Sequence, residues 1–187
     1  MRVVGSHFNR CARSAIQIQR YVTGLVIANN TFTCADCDQT IDGEATGGGW
    51  DDNLTITGNT ILDQPGVQGD HSIALTNTNH ASVTGNTMNR GIALYRTTMV
   101  VVANNSIDAV FAGDYGVIDA QNVCEGLAIT GNTLKRSGHI GPLVGLAPHS
   151  GNYCAGVSVT NNVMQQGTAF HAVTMSSMSR AIVANNL

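Results

Sequence analysis

One octet fixes what this chain can become, because it is written again and again. Leu54–Ile61 reads L-T-I-T-G-N-T-I, Leu25–Phe32 reads L-V-I-A-N-N-T-F, and Ala81–Met88 reads A-S-V-T-G-N-T-M. Val100–Ile107, Leu127–Leu134 and Val157–Met164 repeat it, Ala181–Leu187 carries most of it, and Met1–Phe8 is a degenerate copy with Ser6 at the asparagine position. The marker positions are 6, 30, 59, 86, 105, 132, 162 and 186, so the steps run 24, 29, 27, 19, 27, 30 and 24 residues. A unit of roughly 20–30 residues repeated end to end marks a solenoid or a similar array.

Within each copy apolar residues alternate with small or polar ones, the period of a strand with one face in a core. The copy closes in Gly-Asn or Asn-Asn, which accept left-handed backbone and so turn the chain sharply. No unit can hide its own apolar face, so the units must stack. Leu25, Leu54 and Leu127 are expected in one inward column, with Ile27, Ile56 and Ile129 in the next. The recurring asparagines form a third column whose amides can bond along the stack, or they simply suit the tight turn. The expected fold is all-β: a right-handed parallel β-helix of about seven coils, lacking obvious end caps.

The repeat, carried by apolar alternation over nearly the whole chain, resembles the right-handed parallel β-helix superfamily of pectate-lyase-like proteins. That superfamily includes polysaccharide lyases, glycoside hydrolases, uronan epimerases, phage tailspikes and NosD-type periplasmic proteins. The resemblance implies a carbohydrate-directed protein, with polysaccharide as partner and an extracellular or cell-surface setting. The alternative is a non-catalytic binding, adhesion or tailspike-like scaffold. The motif is scaffold, so it transfers no active site.

Composition sets bounds on this. With 187 residues, one domain spanning 1–187 is expected, and the copy interrupted at Leu187 suggests a piece of a longer solenoid. A net charge of −3 gives no sign of a nucleic-acid partner, no apolar run reaches membrane-span length, and no signal peptide opens the chain. Protruding loops are expected at about 34–53 and 137–156.

A second, quieter strand precedes each marker strand, as in Ser14–Ile18, Gln39–Gly43, His71–Leu75, Arg90–Leu94, Tyr115–Asp119, Gly141–Gly145 and His171–Met175. Its outward positions read Gln17/Gln19, Asp42/Glu44, Ala74/Thr76, Ala93/Tyr95, Ile118/Ala120 and Val144/Leu146. Outward Ile118 and Val144 imply a covered face, so a homo-oligomer could form there or through uncapped ends. In that alignment Asp119 points inward at a cost of several kcal/mol, and a one-residue slip removes the conflict.

The chemistry-bearing residues concentrate early. Asp36, Asp38, Asp42, Glu44, Asp51, Asp52, Asp63 and Asp70 are eight of the twelve acids, and Trp50 is the only tryptophan. Asp42 and Glu44, two apart on one strand, place their backbones about 6.6 Å apart, in the range for an acid–base pair in glycoside hydrolysis. His71 completes the candidate catalytic set. Gln17, Gln19, Trp50, Thr76, Tyr95 and Arg96 are the candidate substrate contacts. The same acids also read as an acidic surface turn, with Asp38, Asp51 and Asp52 as candidate ligands of a calcium ion. Asp38–Gly49 is not an EF-hand, because Gly49 stands where a bidentate Glu is required.

Cysteines number five. Cys34-Ala-Asp-Cys37 has redox or metal-like spacing, and Cys11, one coil below, could pair with either. Cys124 and Cys154 both precede their marker by eight, so they are expected to stack as a reduced, buried pair. His139 and His149 lie ten apart in the later loop as weak metal candidates.

Overall fold

The structure, a computed structural model, describes residues 1–11, 13–34, 37–44, 48–64, 71–110, 115–137, 141–147, 153–165 and 171–187. Asp36, Asp70, His139 and His149 lie outside the described residues. Every regular element among them is a β-strand and every strand pairing is parallel. The chain is a parallel β-solenoid of about six turns. That is close to the seven coils expected.

Three strand columns run along it. The marker column holds Arg2–Val4, Val26–Ala28, Asp51–Thr57, the second halves of His71–Thr84 and Gly91–Ala103, then Ala128–Thr130, Cys154–Thr160 and Met178–Ala184. The quieter column holds Ile16–Ile18, Ile41–Gly43, the first halves of the same two long strands, Ile118–Glu125, Val144–Leu146 and Val173–Met175. The third is a separate seven-stranded sheet running from His7–Asn9 to Val163–Gln165. Strands Ile41–Gly43 and Val144–Leu146 thus lie inside the two stretches read as loops.

Like stacks on like. Val3, Ile27, Ile56, Val83, Val102, Ile129, Val159 and Val183 are successive register partners. Ile27, Ile56, Val83, Val102, Ile129 and Val159 are buried, as are Leu25, Leu54 and Leu127, whereas Val3 and Val183 on the end rungs are not. Phe8 and Phe32 stack inside the first coils with ring centres 4.8 Å apart. Since these side chains come from every coil, the core is one continuous column that no single repeat could form.

The asparagines build a ladder beside that core. From Asn59 onward each side-chain carbonyl accepts from the backbone N–H and the amide of the asparagine one coil earlier, as Asn86 Oδ1 does from Asn59 N at 3.0 Å and Asn59 Nδ2 at 2.9 Å. Asn30 Oδ1 accepts from Ser6 N. The second amide proton goes to a backbone carbonyl, Ile56 O for Asn86 at 3.0 Å. The chain of amides runs unbroken from Asn30 to Asn186. The donors of the ladder asparagines are therefore matched, which a tight turn in a core otherwise forbids. The residue before each marker has positive φ: Gly5, Asn29, Gly58, Gly85, Asn104, Gly131, Asn161 and Asn185. That is why the repeat writes only Gly or Asn there.

The register slip at Val117–Ala120 is real. Ile118 pairs with Ile92 and Val144, and both Ile118 and Val144 are wholly buried. The apolar outer face expected from them, and the oligomer contact built on it, are therefore corrected: these side chains fill the core. Asp119 takes the outward position opposite Ala93 instead, so the charge stays out of the apolar column.

Candidate functional site

On the quieter sheet the corrected outward row reads Gln17, Asp42, Ala74, Ala93, Asp119, Gly145 and Thr174. Two acids, Asp42 and its neighbour Glu44, stand at its first end and Asp119 near its far end, with an alanine saddle between. Strands spaced about 4.8 Å apart put Asp42 and Asp119, three rungs apart, at about 14 Å.

The first end is self-contained. Asp42 is buried and accepts from Ser14 Oγ at 3.4 Å. Glu44 accepts from Gln17 Nε2 at 3.0 Å and pairs with Arg13 at 3.5 Å. Burial, then the Glu44 carboxylate, pushes the Asp42 carboxyl up from its ordinary value. A raised folded-state value means that folding favours the protonated acid, so this contribution is present at low pH and lost as pH rises through the raised value. Asp42→Asn is expected to raise Tm at pH 7, by an amount that shrinks as the pH is lowered towards 4; thermal melts of both proteins across that range test it.

The far end holds a groove of about 250 Å³ lined by Gln39, His71, Ala93, Leu94, Tyr95, Tyr115, Asp119 and Gln121. Tyr95 and Tyr115 are exposed. The His71 ring is buried, tilted against Tyr115 at 6.4 Å between centres, and donates from Nε2 to Gly116 O at 3.0 Å. Asp119 Oδ1 accepts from Gly116 N at 3.3 Å, and Oδ2 accepts from the Gln121 amide. A Cβ on Gly145 would sit 2.5 Å from Asp119 Oδ1, so only glycine on the next coil leaves room for the carboxylate. Next to this groove Tyr95 and Arg96 line a second one with Asn122 and Val123.

The structure therefore splits the candidate residues. Gln17, Asp42 and Glu44 stay together, whereas His71 and Tyr95 belong to the groove. Thr76 stands beside Tyr95 in register, Trp50 is exposed ahead of the strand Asp51–Thr57, and Gln19 is exposed. Gln39, Tyr115, Asp119 and Gln121 escaped sequence reasoning. The slipped register hid Asp119 and Gln121; the placement of Asp119 beside a row glycine on the next coil is the signal that could have found them.

The acid cluster is also not one surface. Asp51 is buried and accepts from Val22 N at 2.9 Å. Asp52 accepts from His80 Nδ1 at 2.9 Å and from Asn53. Asp63 is buried with Arg90: Arg90 Nε donates to Asp63 Oδ2 at 2.7 Å, and Thr40 and Ser72 hydroxyls donate at 2.5 and 2.8 Å. Arg90 Nη1 reaches Asp38 O at 2.9 Å. Among the described residues no group of three or more His, Cys, Asp or Glu side chains is arranged to hold a metal ion.

No family model matches the chain, and no curated protein does. A solved structure that matches is that of trypsin-treated QnrB1, a plasmid-mediated fluoroquinolone resistance protein, at 16% identity over 92% of each chain with a TM-score of 0.22. It is not a pectate lyase, and a likeness of that size leaves the fold to be read from this chain's own register. The carbohydrate-directed reading and its polysaccharide partner are corrected. The physical reason lies in the residues: Asp42, Glu44 and His71 are engaged with neighbouring side chains and backbone and do not converge on one reacting atom.

Proposed function

We propose that the chain is a non-enzymatic binding scaffold that takes a cationic segment of a protein partner in the groove between Tyr95 and Tyr115. The observation that carries this reading is the Asp119 carboxylate, buried in the groove's lining and fixed by Gly116 N–H and the Gln121 amide, with two exposed tyrosines lining the same groove. A guanidinium or ammonium group there meets a preorganised carboxylate and aromatic faces, and cation–π contact adds about 0.5–2 kcal/mol. His71 and Gln39 line the same groove, and Asp42 and Glu44 extend the acidic character along the row. Fixed geometry lowers the ordering cost of binding, which suits a rigid solenoid.

Calorimetric titration with an oligo-arginine peptide and a length-matched Gly-Ser peptide tests this. The arginine peptide is expected to bind, weakening as salt rises, and Asp119→Asn with Tyr95→Leu is expected to weaken it about tenfold or more, or roughly 1.4 kcal/mol. Equal binding of the two peptides, or indifference to both substitutions in a protein that still melts cooperatively, contradicts the reading.

A further inference from the structure

Three of the five cysteines meet at one corner of the first two coils, away from the groove. The register Asn9 with Thr33, continued by Arg10 N donating to Thr33 O at 2.9 Å, sets Arg10 over Cys34, so that Cys11 follows one position beyond Cys34's partner. Cys37 Sγ lies 3.3 Å from Cys11 O, close enough to donate to it. The Cys34 thiol is in hydrogen-bonding range of both the Cys11 and the Cys37 thiols. Cys34 and Cys37 are wholly buried, Cys11 is half-buried, and none is in a disulfide. Burial and the neighbouring thiols push Cys11 and Cys37 up, which keeps those two as neutral thiols at rest.

A buried cysteine is ordinarily a small apolar filler. Here the arrangement is more than filler, because one thiol reaches solvent, a second sits behind it, and a third stands beside the second. Cys124 and Cys154 provide the contrast. They are direct register partners on adjacent parallel strands and both are wholly buried, so an oxidant in solution has no route to either.

We propose that Cys11, Cys34 and Cys37 form a thiol relay that accepts oxidation from a low-molecular-weight disulfide. After losing its proton to water, Cys11 attacks one sulfur of the disulfide; a Cys11–S–S–R bond forms and RS⁻ leaves. Deprotonated Cys34 then attacks Cys11 Sγ, forming the Cys11–Cys34 disulfide and expelling the second RS⁻. Both leaving thiolates take up the protons released by the two cysteines, so two protein thiols are oxidised and one small disulfide is reduced to two thiols. Cys37, losing its proton, attacks Cys34 Sγ; the bond moves to Cys34–Cys37, and the departing Cys11 thiolate takes up that proton and returns as a thiol. The first bond staples coil one to coil two; the second releases that staple.

Treating the folded protein with oxidised glutathione, trapping free thiols with an alkylating agent and mapping peptides by mass spectrometry tests the relay. The wild type is expected to lose two hydrogens with no glutathione retained, and to give a Cys11–Cys34 or Cys34–Cys37 peptide. Cys124 and Cys154 are expected to alkylate only after denaturation. Cys34→Ala is expected to stop at glutathione held on Cys11, while Cys37→Ala still closes Cys11–Cys34. A wild type that keeps glutathione on Cys11, that loses no thiol while folded, or that oxidises Cys124 and Cys154 equally overturns the proposal. The wild-type map alone reads each of these outcomes, so the result stands even where a variant does not fold.

Discussion

Asn86→Leu is expected to cost about 3–5 kcal/mol, from two buried donors stranded at about 1–3 kcal/mol each. Asn86 sits mid-ladder, where its side-chain carbonyl is the acceptor for both the backbone N–H and the amide of Asn59. Leucine matches the volume but offers no acceptor, and both donors are too deep for water to replace it. The same change also removes the donor to Asn105 Oδ1 and to Ile56 O. Asn186→Leu is the graded control, since its partner Asn162 bonds it in a part-buried position; water can substitute there, and the loss is expected to be smaller. Urea titration measures both. Equal and small losses at the two positions would show that asparagine is present only for the turn.

The second large effect is expected at the corner where Asp63 meets Arg90. Asp63→Ala leaves a guanidinium buried without its carboxylate, for which about 3–5 kcal/mol is typical. It also strands the hydroxyls of Thr40 and Ser72, which donate to the same carboxylate. Removing the charges together, as Asp63→Leu with Arg90→Met, is expected to recover most of that loss, because a buried ion pair often breaks even against apolar residues of similar volume. Recovery stays incomplete while the two hydroxyls lack acceptors. Denaturant titration of the single and double variants gives the coupling energy. Small, additive losses would mean that the pair is solvated in solution.

How legible was all this from the residues? The scaffold was, because alternation of period two and a recurring Gly-Asn or Asn-Asn are local signals, written about once per turn. Stacking then followed, since no repeat has a second apolar layer of its own. The corner pair was not legible: Asp63 and Arg90 are 27 positions apart, and Asp63 looked like one more member of an acidic surface. The groove failed for a different reason. Val117-Ile118 and Leu143-Val144 each offer two adjacent aliphatics for one inward position, and period two cannot choose between them. The structure buries all four, Val117 and Leu143 just ahead of the strands that begin at Ile118 and Val144. That choice alone decides whether Asp119 faces the core or the groove.

Pairs of nitroxide labels on the marker column test the stacking most directly. Thr55, Ser82, Val101, Ala128, Ser158 and Ile182 are successive register partners, so positions 55 and 182 are separated by five coil steps of about 4.8 Å, or about 24 Å between backbones. Pulsed electron–electron resonance is expected to give one narrow distance near that value, growing by one coil spacing per step across intermediate pairs. A broad distribution, or distances that do not increase in order along the chain, would contradict the stacked solenoid.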